Sequence, residues 1–191
     1  MADRFTVGFV AAVLVAATVA AGASSIRVPR EQPRADDYRV NAAFLYNFAK
    51  FVEWPAQAFA TPSAPLTLCV LGVDPFGAVL DDTLRGQLVA GRTISVRRLA
   101  QVEPGCHLLF IGGSERNRLS LLTGQLRRAS VLTVSEEPGF NESGGMIELF
   151  TDRDGVQFNI SPKAVERSGL RASARLIALA ANQRHPSGGR R

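Results

Sequence analysis

Hydrolytic chemistry needs an activated hydroxyl or thiol with a base in reach. The chain holds only two histidines, His107 and His185, so such a pairing has to draw on one of them. Ser135 is the serine best placed for it. It ends the apolar run VLTVS (131–135), and α/β folds keep their sites at strand ends. No G-x-S-x-G surrounds it. Its base would be His107, which opens a different apolar run beside Cys106, and a packed or surface imidazole is the plainer reading there. Gly112-Gly113-Ser114 has the outline of a phosphate cradle before a helix, but it matches neither dinucleotide nor P-loop spacing. Glu115 would repel a phosphate, and a plain turn accounts for the glycines. Glu136, Glu137 and Glu142 fall in a Pro/Gly loop, where solvated charges are the default. Two histidines and two cysteines without a four-ligand spacing argue against zinc. The residues supply no catalytic set, and neither a cofactor nor a metal is expected.

The two cysteines, Cys69 and Cys106, depend on the compartment. Residues 5–21 are almost unbroken Ala, Val, Phe, Leu and Gly, ending in Ala21-Gly22-Ala23, the small-x-small pattern of a signal peptidase site. Cleavage near Ala23 and export to the periplasm are expected. A retained N-terminal anchor is the alternative, since about 18 apolar residues just span a bilayer. In an oxidising compartment an even cysteine count suggests one disulfide, and two buried free thiols are the other option. The formal net charge is +5, and the arginines gather late in the chain. That favours a solvated Arg-rich surface, or attraction to acidic partners or anionic lipid. No nucleic-acid module accompanies the charge, so nucleic acid is not an expected partner.

These residues must be positioned by a short series of elements. LTLCVL (66–71), HLLFI (107–111) and VLTVS (131–135) read as strands buried on both faces. RTISVRRL (92–99) alternates and suits a strand nearer an edge. Helices are expected at 76–84 and 114–128, the latter with Ser114 as N-cap. Segments 145–150 and 156–160 flank an Asp-Gly hairpin signal, and a last helix starts at Pro162 and runs to about Ala181. The pattern predicts a three-layer α/β sandwich: a mixed, centrally parallel sheet, a C-terminal antiparallel hairpin and helices on both faces. The chain divides into 1–23 (signal peptide), 24–37 (flexible leader), 38–182 (the α/β domain) and 183–191 (a disordered tail).

The first helix carries the densest aromatic block, AAFLYNFAKFVEWP (42–55). At 3.6 residues per turn, Val40, Phe44, Phe48 and Phe51 fall on one face and read as its core stripe. Asn41 and Asn47 fall beside that stripe, and Pro55 stops the helix. Tyr46 and Trp54 lie off the stripe as aromatic surface the core does not require.

The motifs FLYNFAKFVEWP, LTLCVLGVDPFGAVLDD, CHLLFIGGSE, LTVSEEPGF, GGMIELF and GLRASARLIALA stand in an order and spacing that resemble the YfiR-like (YfiR/HmsC) family over about residues 38–181. The resemblance implies a non-enzymatic periplasmic protein, often a homodimer. Such a protein binds the periplasmic sensor region of an inner-membrane GGDEF diguanylate cyclase and represses cyclic di-GMP synthesis. It also implies release by envelope stress, redox change or an outer-membrane lipoprotein partner. Cys69 and Cys106 match the family's strand-to-strand cysteine pair; the second pair of some relatives is absent, so a redox switch built on that pair is not expected here. Binding energy concentrates in a few large side chains, and the expected partner contacts are Tyr46, Asn47, Trp54, Phe76 and Phe140. The alternative is a periplasmic small-molecule binder, with a rim formed by 72–76, 112–114 and 135–145.

Overall fold

In a computed structural model the chain is described over residues 35–153 and 155–181; the expected signal peptide, most of the leader and the tail lie outside the described residues. The elements are α1 (Ala35–Phe51), β1 (Val52–Glu53), β2 (Leu66–Leu71), α2 (Ala78–Leu84), β3 (Leu88–Val89), β4 (Arg92–Leu99), β5 (Leu108–Ile111), α3 (Leu119–Leu126) and β6 (Leu132–Ser135). They continue with β7 (Ile147–Asp152), β8 (Gly155–Ile160), α4 (Pro162–Arg167), β9 (Arg171–Ala172) and α5 (Ala174–Leu179). No helix of the described residues is long and apolar enough to cross a membrane.

The strands run in the order β3-β4-β2-β5-β6-β7-β8. β4, β2, β5, β6 and β7 are parallel to their neighbours. β3 closes one edge and β8 the other, both antiparallel. The expected centrally parallel sheet with a C-terminal hairpin is therefore the observed one. β2, β5 and β6 are buried along their whole lengths, because side chains of successive residues face opposite layers and both layers are covered.

Two cores result. On one face Leu68, Val70, Phe110, Val134 and Leu149 pack with Leu45 and Phe48 of α1, Leu80 of α2 and Leu176 of α5. On the other, Cys69, Leu71, Leu109 and Ile111 pack with Leu119, Leu122 and Leu126 of α3 and with Phe140 from the loop after β6. Each fully buried Leu or Phe contributes roughly 1.5–3 kcal/mol relative to exposure.

Three expectations change in detail. The helix expected from Ser114 begins as a 3-10 turn, Gly113–Arg118, and becomes α-helical only at Leu119. Ser114 does not cap it; the Ser114 Oγ accepts from the Val73 N–H at 3.0 Å. The last helix is broken in two. Gly169 takes a positive φ of 73°, β9 pairs antiparallel with β1, and Ser173 restarts the helix as an N-cap accepting from Leu176 N–H. Finally, α1 is rolled about its axis by roughly one residue's turn from the expected orientation. Its buried face is Asn41, Ala42, Leu45, Phe48, Ala49 and Val52. Of the expected stripe only Phe48 is fully buried; Val40 is 44% exposed, and Phe44 and Phe51 are half-buried.

Candidate functional site

At the C-terminal end of the parallel strands, where open α/β sheets usually take ligands, the loops close on each other. The crossovers after β2 and β5 leave in opposite directions there. A Cβ on Gly112 would lie 2.8 Å from the Val73 carbonyl oxygen and 3.1 Å from that of Leu71. Only glycine lets these backbones meet, so the glycines serve a close approach and not a phosphate. Arg98 of β4 locks the preceding turn, donating to Asp74 at 2.8 Å and to the Gly77 carbonyl at 2.9 Å, and also bonding Asp81. That hydrogen bond holds the Asp81 carboxyl below its usual range, against a weaker opposing effect of burial. Asp74 in turn accepts from the Phe76 N–H at 2.7 Å. The turn drives Phe76 inward onto Phe110, ring centroids 4.8 Å apart.

Further along the same end, Ser135 is fully buried and donates to the Ile111 carbonyl at 2.8 Å. Glu137 pairs with Arg116 at 3.4 Å. Asn41 of α1 donates its amide N–H to Glu136. The Asn41 Oδ1 is buried and has no hydrogen-bond partner among the described residues.

The N-terminal end is organised around His107. Its Nδ1 accepts from the Thr67 N–H at 2.9 Å, and its Nε2 lies 3.0 Å from the Ala58 carbonyl. An acceptor role at Nδ1 leaves the proton on Nε2, so the imidazole is neutral. Burial lowers its pKa below the ordinary histidine value; the Ala58 bond acts the other way, and the Arg92 charge reinforces the lowering. Phe59 stacks on the imidazole at 4.3 Å, and the Arg92 guanidinium lies 3.8 Å from the Phe59 ring centre. The Trp54 indole N–H donates to the His107 carbonyl at 3.1 Å. One residue away, Cys106 is bonded to Cys69, with Cα atoms 5.8 Å apart. His107 precedes β5 while Ser135 ends β6, opposite Ile111. Four residues of strand, about 13 Å, separate them, so they form no catalytic pair.

α1 runs between these two ends. Asn41 ties it at one, and Trp54, just past its C-terminus, at the other. Its outward face consists of Arg39, Val40, Ala43, Asn47 and Lys50, flanked by half-buried Phe44 and Phe51. Phe44 contacts Phe158 of β8 at 5.9 Å, and Arg175 of α5 lies 5.5 Å from the Phe51 ring centre. On the other shoulder, half-buried Tyr46 reaches the Leu88 carbonyl at 3.4 Å, with Lys50 5.1 Å from its ring centre.

The chain matches the YfiR/HmsC-like family over residues 38–181. The chain belongs to that family. YfiR/HmsC-like proteins are periplasmic, regulatory and non-catalytic, and they act on diguanylate cyclases.

For this YfiR/HmsC-like chain the expected contact residues separate. Asn47 is exposed and Tyr46 half-exposed, both on α1. Trp54 is half-buried and its N–H is engaged by His107, so it is less spare than its position off the stripe suggested. Phe76 and Phe140 are corrections. Phe76 is 3% exposed and Phe140 fully buried; a Cβ on Gly145 would sit 2.3 Å from the Phe140 ring. Both are core residues carried by loops. The half-exposed Phe44 and exposed Val40 take their place at the surface. The signal for them was present: Ala42 and Ala49 let a helix sit close to a sheet, and they lie opposite the Val40 side.

Proposed function

We propose that this protein represses cyclic di-GMP synthesis by binding the periplasmic sensor region of an inner-membrane GGDEF cyclase through the outward face of α1. The observation that carries the reading is a mixed surface of apolar, aromatic and basic side chains on a helix fastened at both ends. Val40, Ala43 and Asn47 are exposed between Arg39 and Lys50, and the flanking Phe44 and Tyr46 pack on the core with one side and leave the other accessible. Preorganised surfaces of this kind lose little conformational entropy on binding, and aromatic anchors supply most of the affinity. Export, cleavage near Ala23, a homodimer and an outer-membrane lipoprotein partner belong to the same reading. Two observations are expected of it: the purified protein retains the periplasmic region of its cyclase on an affinity column, and deletion of the gene raises cyclic di-GMP. Unchanged cyclic di-GMP after deletion would contradict it.

A further inference from the structure

A cavity of about 230 Å³ opens between α3 and α4, at the N-terminal end of β6. Ser120, Thr123, Gly124 and Arg127 line it from α3; Arg167 and Ser168 line it from the end of α4. It is smaller than the pockets that hold drug-sized ligands, so it suits a compact group. The hydroxyls of Thr123 and Ser168 are engaged by backbone carbonyls of Ser143 and Arg127, which fixes the walls. Arg85, Arg92, Arg97, Arg98, Arg116 and Arg118 each donate to a carboxylate or a carbonyl, whereas Arg127 and Arg167, both exposed, have no such partner among the described residues, as is true of Arg39, Arg128 and Arg171; of these five only Arg127 and Arg167 line the cavity.

Both arginines lie at helix C-termini, where a cation offsets the helix dipole. That accounts for the sign of the charge but pairs neither planar fork of donors with a protein acceptor among the described residues, so both are open to a ligand in exchange for water. Arg128 adds charge beside them, and the neighbouring acid, Glu166, is exposed. Guanidinium forks match the oxygens of a phosphate group two at a time.

We propose that this cavity is a binding site for a phosphate-bearing ligand, held between Arg127 and Arg167. The phosphate can belong to a soluble phosphate ester or to a lipid headgroup, and the two are separable. The purified protein is titrated calorimetrically with glycerol 3-phosphate, and it is sedimented with phosphatidylglycerol or phosphatidylcholine vesicles. The apolar N-terminal segment is common to all variants, so each arm is read as variant against wild type. The Arg127→Gln/Arg167→Gln protein is expected to bind about tenfold more weakly. Arg85→Gln/Arg97→Gln, which removes the same charge elsewhere, is expected to stay within about twofold. Gly124→Leu keeps every charge and fills the space, since a Cβ there meets nothing within 4 Å; it is expected to weaken binding likewise. Saturable binding of glycerol 3-phosphate without vesicle retention assigns a soluble ester. Retention on phosphatidylglycerol that the cavity variants lose assigns a headgroup. Absence of binding to both probes, or an equal loss in the charge-matched control, overturns the proposal.

Discussion

At the C-terminal end of the parallel strands Gly112 lies against the Val73 carbonyl and Arg98 clasps Asp74 and Asp81. At the N-terminal end a disulfide and a neutral histidine hold the chain, and beside them Arg127 and Arg167 face a cavity without a carboxylate partner. Sheets of this topology usually bind ligands at the first end and reserve the second for stability. Here the first end is closed by glycine contact and ion pairs, and the second combines the strongest fastening with unmatched charge. α1 is anchored to both. The difference teaches that the position of a site within a fold is set by which polar groups the chain leaves unmatched, and that the surface α1 presents depends on both ends staying closed.

Breaking the N-terminal end should have the largest effect. The bridge joins residues 37 apart in sequence. Cys69→Ser is therefore expected to lower stability by about 3–4 kcal/mol in the chain-entropy account, and the melting temperature by roughly 10 °C. Denaturant titration with and without reductant measures it; a variant as stable as wild type would show that this end is held by packing alone.

Breaking the C-terminal end comes next. Gly112→Ala sets a methyl group against backbone carbonyls that cannot swing aside, and it should destabilise by about 1–3 kcal/mol. Urea unfolding checks this, and a neutral result would mean the two loops separate easily.

Acid should release the two ends in different windows. His107 is neutral in the fold with a lowered pKa, so the unfolded chain takes up a proton first as pH falls below the ordinary histidine value of 6.5. Its stabilising contribution is complete above that value and declines as pH drops toward the folded pKa. The Asp81 contribution persists until pH falls below the ordinary aspartate value of 3.8 and is lost only there. Melting temperatures at pH 7.5 and pH 5.5 should differ for wild type and differ less for His107→Gln. Equal pH dependence in both proteins would remove His107 from the account.

Much of this architecture was legible in the sequence. Continuous apolar runs around Cys69, Leu109 and Val134 specified buried parallel strands, and the Asp-Gly signal specified the hairpin. The roll of α1 was harder to read. Phe44, Phe48 and Phe51 outweigh Ala42 and Ala49 in any hydrophobic count, yet the alanines face the sheet because small side chains permit close helix–sheet approach, and the buried Asn41 adds a polar residue to the core face. Phe140 sits in a loop and Phe76 in the turn before α2, ahead of the helix start expected at 76, and local pattern left both at the surface. Their burial rests on the Asp74 turn and on the space at Gly145, long-range contacts that no local window contains. The cavity between α3 and α4 was likewise hidden, because Arg127 and Arg167 are 40 residues apart in sequence and come to line it only once β6, β7 and β8, which lie between them in the chain, have paired.

The affinity of the α1 face for its partner tests the central claim most directly. The Val40→Asp/Asn47→Arg protein alters two exposed positions and should match the unfolding free energy of wild type to within about 1 kcal/mol. Its binding to the periplasmic region of the cyclase, measured by calorimetry, is expected to weaken by at least about tenfold, with a matching rise in cyclic di-GMP. Wild-type affinity in that variant would contradict the account and move the partner surface away from α1.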